Sequence, residues 1–500
     1  MHALVEFCAF LCLAHAVRGS SLVAPPQSAV VVAFEDVYDL SLLANTLSDQ
    51  GIDATLIIPG YAEHDVYETL IDVEVLTVTV ETEEYAYPES KAIQACEAFL
   101  KDEQIAKKIS EIQPTFTIFP AFRHDGCLLP WSRIIQSIPV IWTRDRDEQV
   151  YVFEYTGTAL PVQSAGFWTR LRTSFSRRSI FSVARDEYAA YALRIVGKYL
   201  PEAGLNLDNL YADVRLILWG GDSILRSYFA PLTQLIVEVG CHHCRGAHPL
   251  QGDLNKSLIE FRLGTIVALL DESYETLIKE LAEKLPQGRD GQAVVWKKAK
   301  SSTKTDSAAT LSSNLFVRPT VDRQDLIGYG RTRVVLSHCA DTELLEAGFH
   351  GTPVICFPRN VHESKNAVRA VGLGFALSAP SADDGRVISG EEVAFMVNVI
   401  HESMSYRENA RRVSVAIRDR INPAVDRLIY WLRYTARSKD GNLEFFTPIS
   451  PARTANEDLQ FFLGLFVGSI VGIFITAGCM VTRYLVLSKR AQRSKGRYTR

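Results

Sequence analysis

Residue type and spacing single out three places in the chain for chemistry. The first is His338-Cys339-Ala340-Asp341-Thr342, with Glu346 beyond it. The apolar β-branched run Val334-Val335-Leu336 reads as a buried strand ending at His338, and helical spacing resumes over residues 342–349. A strand-to-turn-to-helix passage aims free N–H groups and the positive end of a helix dipole out of the fold. That is a place for an anion, and a diphosphate suits it. Glu346 lies one turn inside the helix. The second place is Asp36, between the run Val30-Val31-Val32-Ala33-Phe34 and the start of a helix-spaced segment. Asp is favoured there as a helix cap, the plain role to weigh against any chemical one. The third is Cys241-His242-His243-Cys244, with His248 nearby. It invites a zinc reading, but no second ligand pair has the usual spacing. No metal is expected, and the two cysteines are left as a disulfide or free thiols.

The elements that must hold these residues alternate. After the first strand, Leu40, Leu43, Ala44 and Leu47 share a helical face, Gly51 ends the helix, and Ala54 to Pro59 reads as the next strand. Further strands fall at 115–119 and 140–142. A second series begins near 260, with strands at 265–270, 293–296, 334–336 and 354–357 and a helix at 274–285. Residues 297–313 are polar and read as a surface loop. Two α/β halves therefore meet near 241–258. A ligand would sit in the cleft outside the carboxyl ends of their strands.

The ends of the chain add a location. Residues 461–482 are uncharged and mostly apolar, long enough as a helix to cross a bilayer. The 18 residues after them carry seven basic side chains and no acid, so the remaining chain carries −12 of the overall −5. A basic flank marks the cytoplasmic side, and an acidic body speaks against nucleic acid as partner. At the other end a short apolar stretch and Ala14-His15-Ala16 fit a cleaved signal. The expected layout is a signal at 1–16, a first domain at 17–245, a second at 246–440, a linker at 441–460, a span at 461–482 and a cytoplasmic tail at 483–500. This is a type I membrane protein with its body in the secretory lumen. Six cysteines then face an oxidising compartment that could pair some of them. Gly464, Gly468 and Gly472, spaced by four, make a groove for a second copy or a related partner.

Residues 325–351, DLIGYGRTRVVLSHCADTELLEAGFHG, continue TPVICFPRNVHESKNAVRAVGLGFAL. This resembles the donor-binding signature of the UDP-glycosyltransferases, most like their membrane-anchored glucuronosyltransferase branch. The spacing matches without a gap from Asp325 to Ala367. Val239 to Cys244, Val294 to Lys297 and Phe167 to Leu171 resemble further stretches of the family. The resemblance implies an α/β protein of GT-B architecture, two facing Rossmann-like domains, with a UDP-sugar as donor, a small lipophilic acceptor and no metal cofactor. It implies that Glu346 takes the ribose hydroxyls and His338 a phosphate oxygen. Asp341 and Thr342 fall among the phosphate contacts, His362 and Glu363 stand at the sugar-contacting pair, and Asn366 closes the signature. Asp36 takes the place of the family's general base, and the partner carboxylate is sought at His124 or Asp125.

The same comparison shows departures. Ala340 replaces a glycine of the phosphate turn, and Asp341 adds negative charge beside a diphosphate. Thr320 or Val321 stands where a uracil-stacking tryptophan is expected. His362-Glu363 replaces an Asp-Gln pair, and Asp36 replaces a histidine. Two readings follow: a membrane-bound UDP-sugar transferase, or a glycosyltransferase-like binding or partner subunit that has lost catalysis.

Overall fold

The computed structural model of the protein describes residues 27–67, 69–80, 88–121, 124–144, 192–204, 213–225, 234–298, 312–380, 388–438 and 451–495. The signal expected at 1–16, the stretch at 167–171 and most of the polar loop at 297–313 lie outside the described residues.

Strands β1 (Ser28–Val32), β2 (Asp53–Pro59), β3 (Glu74–Val78), β4 (Phe116–Pro120), β5 (Ile138–Thr143), β6 (Leu216–Trp219) and β7 (Ile236–Glu238) form one sheet, ordered β3-β2-β1-β4-β5-β6-β7. Every neighbouring pair is parallel. Its central strands are continuous apolar runs because helices cover both faces. On one face α1 (Val37–Asp49) buries Leu40, Leu43 and Leu47 against Val31, Leu56, Ile118 and Val140. On the other, α2 (Pro88–Lys101), α3 (Glu103–Ile112) and α4 (Asp125–Ile134) bury Phe99, Ile105, Ile109 and Leu128 against Val30, Ile57, Phe119 and Ile141.

The second half repeats the plan. Helix α5 (Gly252–Ile259) leads into β8 (Thr265–Ala268), α6 (Glu275–Lys284), β9 (Ala293–Trp296) and β10 (Leu315–Val317). Then come α7 (Arg323–Ile327), β11 (Thr332–Ser337), α8 (Asp341–His350), β12 (Val354–Cys356), α9 (Val361–Gly372) and β13 (Ala376–Ser378). The sheet order is β10-β9-β8-β11-β12-β13, again all parallel. Helices α10 (Gly390–Glu402) and α11 (Met404–Arg418) complete its two cores. Strand order reverses between β1 and β4 in one sheet and between β8 and β11 in the other. Asp36, His124, Asp271 and His338 follow the carboxyl ends of those four strands, where open α/β sheets bind ligands.

One boundary differs from the sequence expectation, which runs the second domain to 440. Helix α12 (Ala424–Arg437) packs on the first sheet, with Leu428, Ile429 and Leu432 buried beside Leu216, Leu218 and Val237. Arg420 fixes the crossing through Asp222 (2.8 Å) and Glu238 (2.5 Å). Part of the linker expected at 441–460 is helical, because α13 (Pro451–Lys495) begins at residue 451. Within α13, Leu463–Arg490 has a mean hydropathy of 2.1 in its apolar window and none of that window is buried, which is long and apolar enough to cross a membrane. The six body cysteines form three disulfides, Cys96–Cys127, Cys241–Cys244 and Cys339–Cys356.

Candidate active site in the interdomain cleft

Five of the residues assigned to the donor gather around the first turn of α8. His338 is buried just before it. Its Nδ1 lies 2.9 Å from the Phe357 carbonyl and its Nε2 3.3 Å from the Asp271 N–H. A carbonyl only accepts and an amide N–H only donates, so the ring proton belongs on Nδ1. Asp341 receives the Asn366 amide at 3.0 Å and lies 2.6 Å from His362 Nε2. The Thr342 hydroxyl donates to Asp39 of the opposite domain. The helix N-terminus thus already faces acids: Asp341 and Glu343 in its first turn and Asp39 across the cleft. Acids there satisfy the helix dipole and repel a diphosphate.

Glu346 lies one turn deeper and is 1% exposed. Arg323 reaches its two oxygens at 2.5 and 2.7 Å, and His243 Nε2 lies at 3.1 Å. Burial alone would raise this carboxyl, but Arg323 first and His243 second more than offset it and hold it down to about 2. Glu363 is also consumed: it accepts the Arg359 backbone N–H at 2.7 Å and the Arg359 guanidinium at 2.7 Å.

The first domain supplies the facing wall. Asp36 occupies the N-cap position of α1 with φ 58°, yet its side chain makes no capping bond. The cap expected from sequence is therefore absent, because the carboxylate turns to a charged partner instead. Arg144, just past β5, lies 2.9 Å from Asp36 and 2.8 Å from Asp39. Burial raises the Asp36 carboxyl most. Arg144 lowers it, Asp39 and Glu35 raise it, His124 lowers it, and the balance stands at about 6. His124 is buried, with neither ring nitrogen hydrogen-bonded and Nε2 3.7 Å from Glu35. Asp125, the other candidate carboxylate partner, is buried at the first residue of α4. His124 is one of the groups that lower the Asp36 carboxyl.

Sequence reasoning missed the residues that join the two walls. Arg144, Asp39 and Arg323 belong to no quoted role, although Arg144 does follow a strand end, which was a usable signal. Tyr67 donates to Asp322 at 2.8 Å, Arg323 sits 4.6 Å over the Tyr38 ring, and Thr46 lies 3.0 Å from His242.

Residues 206–446 match the model of the family described as UDP-glucoronosyl and UDP-glucosyl transferase. Curated relatives include UDP-glucuronosyltransferase 2C1 of Oryctolagus cuniculus, 26% identical over 43% of this chain and 43% of the relative. UDP-glucuronosyltransferase 2B1 of Rattus norvegicus is 26% identical over 40% of this chain and 37% of the relative. The chain thus spans less than half the length of these relatives. Among solved structures, the calicheamicin glycosyltransferase CalG4 superposes with a TM-score of 0.54 at 15% identity, covering 83% of this chain and 100% of that one. A UDP-glucosyltransferase from Polygonum tinctorium gives a TM-score of 0.55 at 15% identity, covering 83% and 100%. At that identity the structures speak for the fold alone, which is the GT-B fold of two parallel α/β sheets. The chain thus has the GT-B fold, and over residues 206–446 it is similar to the UDP-glucuronosyl and UDP-glucosyl transferases.

Proposed function

We propose that the protein is a membrane-anchored transferase that moves a hexosyl or glucuronosyl unit from a UDP-sugar to a hydroxyl of a small lipophilic acceptor, with inversion at the anomeric carbon. The observation that carries this reading is Asp36. It stands at the end of β1 in a left-handed conformation that side chains rarely adopt. It does not cap its helix, and it titrates near 6, within reach of neutral pH. In the reaction the acceptor oxygen bonds to C1 and its proton passes to Asp36. The bond from C1 to the diphosphate oxygen breaks, and its electron pair leaves on UDP. The leaving charge arrives at the N-terminus of α8, where Thr342 and Asn366 can take it only by giving up Asp39 and Asp341, the acids they hold in this structure. No metal enters this scheme. Helix α13 anchors the chain, the three disulfides favour an oxidising lumen for the body, and the basic residues after the span favour a cytoplasmic tail.

A second reading has its own observation. Glu346, which the family resemblance assigns to ribose, is buried and saturated by Arg323 and His243. A chain with that arrangement suits a partner subunit that keeps the fold without turnover. The deciding experiment offers UDP and a panel of UDP-sugars to the full-length protein in detergent or nanodiscs. Binding by calorimetry with UDP release to a lipophilic alcohol supports the transferase. Absence of binding to UDP and to every UDP-sugar sinks it and leaves the partner subunit.

A further inference from the structure

The carboxylate assigned as base is not held by its own helix. It is held by a residue from a different strand end. We propose that Arg144 is the positioning residue of this site: its guanidinium fixes the Asp36 carboxylate and, through Asp39 and Thr342, ties it to the donor-side helix. For its catalytic meaning the proposal rests on the transferase reading.

Three observations support it. One guanidinium spans two carboxylates, with Nη1 2.9 Å from Asp36 and Nη2 2.8 Å from Asp39. This is the forked geometry that arginine supplies and lysine does not. Second, Asp36 lies at φ 58° without a capping bond, so this ion pair is what holds its side chain in the turn. Third, the other oxygen of Asp39 accepts the hydroxyl of Thr342, the second residue of α8. The base and the leaving-group helix are therefore joined through one arginine. An anion that reaches α8 must displace Asp39 from Thr342, and Arg144 is the cation that feels the change.

The charges around Asp36 define what Arg144 does. Glu35 on the same loop and Asp39 on α1 are like charges. His124 after β4 and Arg144 after β5 oppose them, and Asp341 of the second domain acts on Arg144. Arg144 is the larger of the two influences that lower the Asp36 carboxyl. Without it a half-buried carboxylate would face two others.

The test uses the full-length protein and two readouts. The first is the pH dependence of kcat/KM with a UDP-sugar. The second, independent of turnover, is an infrared titration of the carboxylate bands, with Asp36→Asn identifying the band of Asp36. Arg144→Gln should move the acid limb and the Asp36 band upward by about 1–3 pH units, the usual effect of losing an adjacent arginine. Asp39→Asn should move both downward, since it removes a like charge. Arg144→Lys, which keeps the charge and loses the fork, should restore most of the pH position while kcat stays below wild type. An unmoved limb and band in Arg144→Gln overturn the proposal. If Arg144→Gln does not fold, an acid limb in Arg144→Lys displaced as far as charge loss predicts also overturns it. If the band shifts in Arg144→Gln while wild type turns over no UDP-sugar, the transferase reading falls and Arg144 remains as the holder of Asp36.

Discussion

Both oxygens of Glu346 accept from Arg323 and one also faces His243, inside a site where the Arg323 side chain is itself only 10% exposed. Removing one member of such a pair leaves the other buried and uncompensated, a loss of about 3–5 kcal/mol. Glu343, 3.9 Å from Arg323, is too distant to replace the lost bonds. Glu346→Gln should therefore lower the unfolding free energy of the body by that amount, measured by denaturant titration at neutral pH. The pH dependence follows from the sign of the shift. The folded carboxyl titrates near 2 and its ordinary value is 4.5. Its contribution is fully present above 4.5 and disappears as pH falls through 2. The stability gap between wild type and Glu346→Gln should thus narrow as the solution is acidified from pH 5 to pH 2. Asp36 shifts the other way, which concerns activity: kcat/KM should climb with pH through about 6 as the base ionises. Asp36→Asn keeps the side-chain shape and should abolish turnover while sparing UDP affinity, measured side by side. Full activity in that variant would transfer the role to another group, with His124, which acts on the Asp36 carboxyl, as the candidate.

Among the elements, the strand ends and the β11-to-α8 turn were legible because their signals are local: a β-branched run, a break, a 3.6 period. Thr332–Ser337 and Asp341–His350 fall within two residues of the expected limits. Asp36 was legible as a position, with a cap weighed against a base; the capping bond is not made, and only the fold brings Arg144 to it. The Thr342–Asp39 bond joins residues 303 apart, and no periodicity announces such a partner. Helix α12 is the same case at larger size. Its stripe of Leu428, Ile429 and Leu432 marks an amphipathic helix but not which sheet it covers. Its attachment can be tested through the arginine before it. The Asp222 side chain, 2% exposed and raised to about 6 by burial first and Glu238 second, has Arg420 as its opposing charge. Arg420→Ala should cost about 3–5 kcal/mol and expose the segment between α11 and α12 to limited proteolysis. If cleavage there is no faster than in wild type, α12 is held by its leucines alone.

For the whole molecule, the long helix α13 is the element long and apolar enough to cross a membrane, and the anchoring proposed for it can be tested directly. The chain should resist carbonate extraction from membranes, and a version ending at residue 438 should be released in soluble form, because α13 carries the exposed apolar surface. Gly464, Gly468 and Gly472 stand on one exposed face of that helix. Fluorescence transfer between labelled copies should fall in Gly468→Ile, and equal transfer in both would move any dimer contact to the body. The return of α12 to the first sheet makes the second domain an insertion in the first. A ribosome delivers β1 to β7, then all of β8 to β13, and only afterwards the helix that covers β6 and β7. The domain begun first is therefore the last to close. Throughout synthesis of the intervening domain, Leu216, Leu218 and Val237 lack the cover of Leu428 and Leu432. The interval most open to misassembly thus falls after β13 has been made and before α12 is delivered.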